Sequence, residues 1–144
     1  MKIETVELPE LVLIGTLLKD GQEEAAAWIR LFAADTGASG FLKAQLPLPG
    51  EAPATLLGYL GASKTEIPSG MEKIAVAPGR YLRLITDGKL PEGSDPWGAL
   101  EAQALASRET ASGLRMDFGY LPGREDGHHE LHLGLNPKTL SLAG

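Results

Sequence analysis

The residues best equipped for chemistry crowd into one stretch, Gly127-His128-His129-Glu130-Leu131-His132-Leu133-Gly134-Leu135, which holds all three histidines of the chain. Read with the two-residue period of a strand, Leu131, Leu133 and Leu135 share one apolar face. His128, Glu130, His132 and Gly134 fall on the other, and His129 falls with the leucines. A catalytic zinc wants three converging ligands and a water. Neighbouring histidines that point to opposite faces do not converge, so no metal is expected. Glu130 has two readings: an ordinary surface acid if its face is solvated, or the charged floor of a ligand site if that face lines a cleft. A carboxylate desolvated beside aromatics disfavours its own charge until a cation arrives. Aromatic faces then add attraction of about 0.5–2 kcal/mol each. Trp97, on the apolar stripe of its helix, and Phe118, on a strand face with Met116, are each readable either as core or as the wall of such a site.

Other chemistries find little support. Without cysteine there are no disulfides, thiolate metal sites or cysteine nucleophiles. Gly37-Ala38-Ser39-Gly40 and Pro78-Gly79-Arg80 are glycine turns without the Lys-Ser/Thr of a phosphate loop. Thr110-Ala111-Ser112-Gly113 lacks the first glycine of a nucleophile elbow. No cofactor is expected. A formal charge of -6 opposes direct nucleic-acid contact, which depends on clustered Lys and Arg. It opposes an anionic membrane surface equally, and no apolar run approaches the ~20 residues of a span. The opening Met1 to Glu7 alternates like a strand and has no signal-peptide core, so a cytoplasmic protein is expected.

Two helices and a set of strands must position these residues, and 144 residues suit a single domain. Ile3–Leu8 and Leu11–Leu18 read as two strands of a hairpin broken at Pro9-Glu10. Asp20 and Glu23 have capping-box spacing ahead of a helix carrying Ala25, Trp28, Ile29 and Phe32 and ending near Thr36. Strands follow at 41–46 and 55–62. A second cycle has strands at 72–77 and 80–86, then a helix opened by Asp95-Pro96 that carries Trp97, Leu100, Ala104 and Leu105 to about Ser107. A strand at 115–121 and the histidine-bearing stretch from Gly127 to Pro137 close it. Four echoes recur in the same order roughly 69–76 residues apart, among them Ala38-Ser39-Gly40 with Ala111-Ser112-Gly113 and Leu57-Gly58 with Leu133-Gly134. They point to a duplicated hairpin–helix–strands unit over residues 1–63 and 71–138. The expected fold is α+β: an antiparallel sheet with two helices on one face and, on the other, a cleft between pseudo-two-fold-related halves. Ala54 is the counterpart of Glu130, so that acid exists in one half only.

Pro78-Gly79-Arg80-Tyr81, Asp95-Pro96-Trp97, Met116-Asp117-Phe118-Gly119-Tyr120 and Glu130-Leu131-His132-Leu133, in this order, resemble the gyrase-inhibitor-like (GyrI-like) small-molecule-binding domain. That domain is also the effector-binding part of AraC-type and MerR-type regulators. The resemblance runs from Lys2 to Lys138 on short motifs. It implies a pocket between the repeats, lined by aromatics and floored by an acid, that takes lipophilic and often cationic compounds. On the matching positions Glu130 is the acid and Trp97, Tyr120 and Tyr81 are aromatic partners. Gly134-Leu135 departs from a common Pro-Val, and Asp117 and Gly119 stand where bulkier or longer residues are usual. The implied function is a stand-alone sensor or sequestering module, acting on transcription only through a partner. One alternative is a hydrolase opening an electrophilic ring, with Glu130 as base and Tyr120 or Tyr81 as donor. Another is a protein-interaction module whose partner is a topoisomerase.

Overall fold

Strand periodicity, turn residues and two capped helices translate into eleven elements. The computed structural model describes residues 2–18, 23–33, 40–47, 53–61, 67, 70–86, 93, 95–118, 128–136 and 140–142. In chain order they are β1 (Ile3–Leu8), β2 (Leu11–Leu18), α1 (Glu24–Ala33), β3 (Leu42–Leu46), β4 (Ala54–Gly61), β5 (Glu72–Val76), β6 (Gly79–Thr86), α2 (Pro96–Ala106), β7 (Ala111–Phe118), β8 (His129–Leu135) and β9 (Leu140–Leu142). Asp95 caps α2 by accepting the amide of Gly98 at 3.0 Å, and Pro96 occupies the first turn, where its missing N–H is harmless. The expected cap at Asp20 lies outside the described residues. β7 begins four residues before the strand read from the sequence, and β9 lies beyond the last element expected.

All strands join one antiparallel sheet in the order β1-β6-β8-β7-β3-β4-β2-β5-β9. The α+β class and its antiparallel sheet with two helices on one face are as expected, but the hairpins are not. β1 and β2 are consecutive and do not pair with each other. β1 lies against β6, from Ile3↔Leu84 to Leu8↔Gly79, while β2 runs between β4 and β5. Burial explains the choice. Val12 to Gly15 of β2 are buried on both faces, which demands neighbours on both sides, whereas β1 alternates and is half-exposed, as a rim strand is. β5 and β6 part in the same way. Exchanging β1–β4 for β5–β8 returns the order of the first eight strands read backwards, with β3 and β7 at the centre.

Each face has its own packing. On one, α1 covers β2 and β4 through Ala27, Trp28 and Leu31 against Val12, Ile14, Leu57 and Tyr59. On the same face α2 covers β6 and β8 through Leu100 and Ala104 against Leu82, Leu84, Leu131, Leu133 and Leu135. The opposite face carries a continuous apolar cluster running from Val6 and Leu8 of β1, through Tyr81, Met116, Ala44 and Leu56, to Ile74 and Val76 of β5. Gly15 and Gly58 face each other there, across β2 and β4. A Cβ on Gly58 would stand 2.0 Å from the carbonyl oxygen of Ile14, and one on Gly15 2.1 Å from that of Leu57. Backbone cannot step aside as a side chain does. Gly58→Ala should therefore cost about 3 kcal/mol, at the upper end of overpacking, and lower the Tm accordingly. An unchanged Tm would show that the two strands can separate freely.

Candidate functional site

Because α1 and α2 sit over the outer strands, the central pair β3–β7 is left between them as the floor of a groove. Register decides what that floor presents. Ala44↔Met116 point to the apolar cluster, so Lys43↔Asp117 and Gln45↔Arg115 point between the helices. Lys43 and Arg115 stand in equivalent places about the Ala44–Met116 pair, and each reaches the helix beside it. Lys43 Nζ meets Glu24 of α1 at 3.1 Å, and Arg115 donates to Glu101 of α2. Both pairs are about a third to a half exposed, so each stabilises the fold by only ~0–1 kcal/mol. Their larger effect is to hold the two cations in place.

Gln45 and Asp117 are the other equivalent pair, and they break the symmetry: one half supplies a neutral amide and the other an acid. Asp117 Oδ2 accepts from Nδ1 of His129 at 2.9 Å, with both side chains largely buried. Asp117 Oδ1 is buried with no hydrogen-bond partner. Burial raises the Asp117 pKa above its ordinary value of 3.8, against the lowering pull of His129, of a hydrogen bond from the Glu130 backbone and of Lys43. Trp97 of α2 forms the aromatic wall, with the Arg115 guanidinium 5.3 Å from its ring centroid. Lys43, Ala44, Gln45, Thr55, Trp97, Arg115 and Asp117 together line a cavity of about 200 Å³. Among the described residues two cations thus face three carboxylates, counting Glu24 and Glu101 at the rim, an excess of one negative charge.

The residues singled out from the sequence divide between the two faces. Trp97 lines the groove. Glu130, Phe118 and Tyr81 lie on the opposite face, across the thickness of the sheet from it, so Trp97 and Glu130 do not share a site. Glu130 is flanked by its register partners Phe118 and Ile85 and stands 3.8 Å from Nε2 of His128, both side chains partly exposed. Tyr81 is fully buried rather than presenting its hydroxyl to water, and burial pushes that hydroxyl up to about 12. It pairs with Gly134, four residues from Glu130 along β8, or roughly 13 Å at strand rise, too far for an acid–base pair with it. Tyr120 lies outside the described residues. The expected cleft was put on the face without helices, but apolar side chains fill that face, while the helix-flanked face is open at its polar centre.

The histidines are dispersed. His132 packs edge-on against Phe118 at 4.7 Å and Tyr81 at 6.2 Å and donates from Nδ1 to the carbonyl oxygen of Glu130 at 3.1 Å. Burial lowers its pKa. Sequence reasoning missed Asp117, Lys43, Gln45 and Arg115 as site residues. A signal existed for the first: a lone acid alternating with Met116 and Phe118. Only the β3–β7 pairing turns that position into a floor. Gly134, the noted departure from proline, has a structural reason, since a Cβ there would come within 2.5 Å of Ser112 Oγ.

No family model matches the chain, and no curated protein matches it either. Solved structures do match, as whole folds. SAV2435 bound to tetraphenylphosphonium superposes with a TM-score of 0.68 at 17% identity, over 94% of each chain. A Staphylococcus aureus MU50 protein provisionally assigned to bacterial transcription regulation gives 0.64 at 16%, over 94% of this chain and 99% of that one. The integron cassette protein VCH_CASS2, from the mobile metagenome of Vibrio cholerae, gives 0.61 at 10%, over 93% and 95%. At these identities the likeness is one of fold, and it is consistent with the architecture of the GyrI-like domain.

A desolvated Asp117 carries a pH signature. Its folded pKa lies above the unfolded value, so the penalty on its charge is present above the folded pKa and is relieved as pH falls through it towards 3.8. The Tm of the wild type minus that of Asp117→Asn should rise between pH 7 and pH 4. A flat or falling difference would mean that the carboxylate is well solvated.

Proposed function

We propose that this protein is a small-molecule-binding module of the cytoplasm that senses or sequesters lipophilic cations in the groove between α1 and α2. The observation that carries this reading is the pairing of a buried, incompletely hydrogen-bonded carboxylate, Asp117, with the indole wall of Trp97 in a groove of surplus negative charge. An organic cation gains from both, and its charge offsets the desolvation that disfavours the Asp117 anion. The shared fold with a protein solved with tetraphenylphosphonium supports the reading, as does the fold shared with a protein linked to transcription regulation. With a charge of -6 the chain would influence transcription through a protein partner rather than by touching nucleic acid.

Among the described helices none is long and apolar enough to cross a membrane. A peripheral surface role would need basic patches, which the charge balance does not favour. The hydrolase alternative loses one of its two donors, because Tyr81 is buried away from Glu130 and no other described tyrosine adjoins that acid.

A thermal-shift panel tests the reading: tetraphenylphosphonium, protonated aromatic amines and neutral compounds of the same shape. The cations should stabilise the wild type and the neutral analogues should not, and Trp97→Ala or Asp117→Asn should weaken the response about tenfold in ligand concentration, as loss of ~1.4 kcal/mol implies. Equal stabilisation by neutral analogues, or none by any cation, would sink the proposal. A loss confined to Glu130→Gln would move the site to the opposite face.

A further inference from the structure

The floor of the groove is polar where a pocket for greasy ions would be apolar. Trp97 is its one aromatic among the described lining residues, while Gln45, Thr55 and Asp117 bring oxygen acceptors. The two oxygens of Asp117 have different fates. Oδ2 is engaged by His129 at 2.9 Å, and Oδ1 is buried with no hydrogen-bond partner. A ligand that fills the groove expels water from Gln45 and Thr55, whereas Asp117 Oδ1 is already shut off from solvent. If it has no N–H, they are left unmet and desolvated. A site built around unmet acceptors discriminates strongly against analogues that lack the donor.

The chain already shows what such a site accommodates. Arg115 lays a planar, delocalised cation 5.3 Å from the centroid of Trp97 while donating N–H to the carboxylate of Glu101. A planar cation with in-plane donors and a π-face meets an indole and a carboxylate at once. A tetrahedral onium ion offers neither a flat face nor a donor.

Resting on the cation-site reading of this groove, we infer that its preferred ligands are planar, N–H-bearing cations of the aryl amidine or aryl guanidine class. The amidinium donates to the Asp117 carboxylate and to the side-chain oxygen of Gln45 or Thr55, and the aryl ring lies along Trp97. Fully alkylated or arylated onium ions of similar size bind more weakly, by charge alone.

The test uses two small monocations of matched ring size, benzamidine and phenyltrimethylammonium, titrated calorimetrically into the full chain at neutral pH. Benzamidine should bind at least about fivefold more tightly, and the advantage should shrink towards one in Asp117→Ala, with circular dichroism confirming that the variant is folded. If that variant does not fold, the wild-type ratio decides alone. A ratio below about fivefold overturns the inference. Should the onium ion then still bind in a manner weakened by Trp97→Ala, the groove remains a cation site and only its donor preference is wrong. If neither cation binds, the cation site and the preference built on it fall together.

Discussion

The register between β3 and β7 determines what every other part of the molecule can do. Over Leu42↔Phe118 to Gln45↔Arg115, alternate pairs send their side chains to opposite faces of the sheet. In the observed register Ala44 and Met116 complete the apolar cluster, and the charged and amide side chains meet between the helices. A slip of one residue would drive Lys43 or Asp117 into that cluster and lift apolar side chains into the groove. Burying an unpaired charge is costly enough to forbid the alternative. The hydrophobic cluster on one face therefore fixes the polar site on the other, with Ala44 of the central strand belonging to both.

The electrostatics of the groove follow from the same arrangement. Lys43 and Arg115 each reach a helix acid, Glu24 and Glu101, so part of their charge is engaged away from Asp117. His129 approaches Asp117 from behind and takes one oxygen. The carboxylate is thus neither free in water nor fully paired, the condition in which its charge responds most to an incoming group. None of this needs a purpose-built loop. It arises where two helices stand apart over a sheet whose central strands carry alternating polar residues.

How legible this was depended on whether the cause was local. Strand alternation placed β1, β2, β5 and β6 within a residue or so, and the Asp95-Pro96 signal opened α2 where it begins. The α+β class followed from that succession. The hairpins did not, because adjacency in sequence is only a prior, and the double-sided burial of β2 is satisfied by register partners 37 to 65 residues away. Leu131, Leu133 and Leu135 were correctly separated from Glu130 and His132, since a period of two is intrinsic to the strand. Which of those faces would hold the groove was not legible. That depended on where the helices landed. Trp97 emerged as a groove residue, but the acid beside it is Asp117. Asp117 looked like a deviation because only its cross-strand partner Lys43 and its neighbour His129 reveal its setting, and both come from other strands.

The exchange of β1 and β5 between the halves has a kinetic consequence. Glu4 and Arg83, joined at 2.6 Å, are 79 residues apart in sequence, and the whole β1–β6 ladder spans a similar gap. On a ribosome β1 would emerge first and find its partner only after most of the first half, the linking segment and β6 had been made. Until then it is an unpaired, partly apolar edge, the kind of segment that aggregates or is held by a chaperone. High contact order predicts slow folding. It also makes the halves poor candidates for separation, for a fragment cut between β4 and β5 would leave each piece with a strand whose partner is on the other. Two such fragments, mixed, would be expected to complement each other as a noncovalent whole.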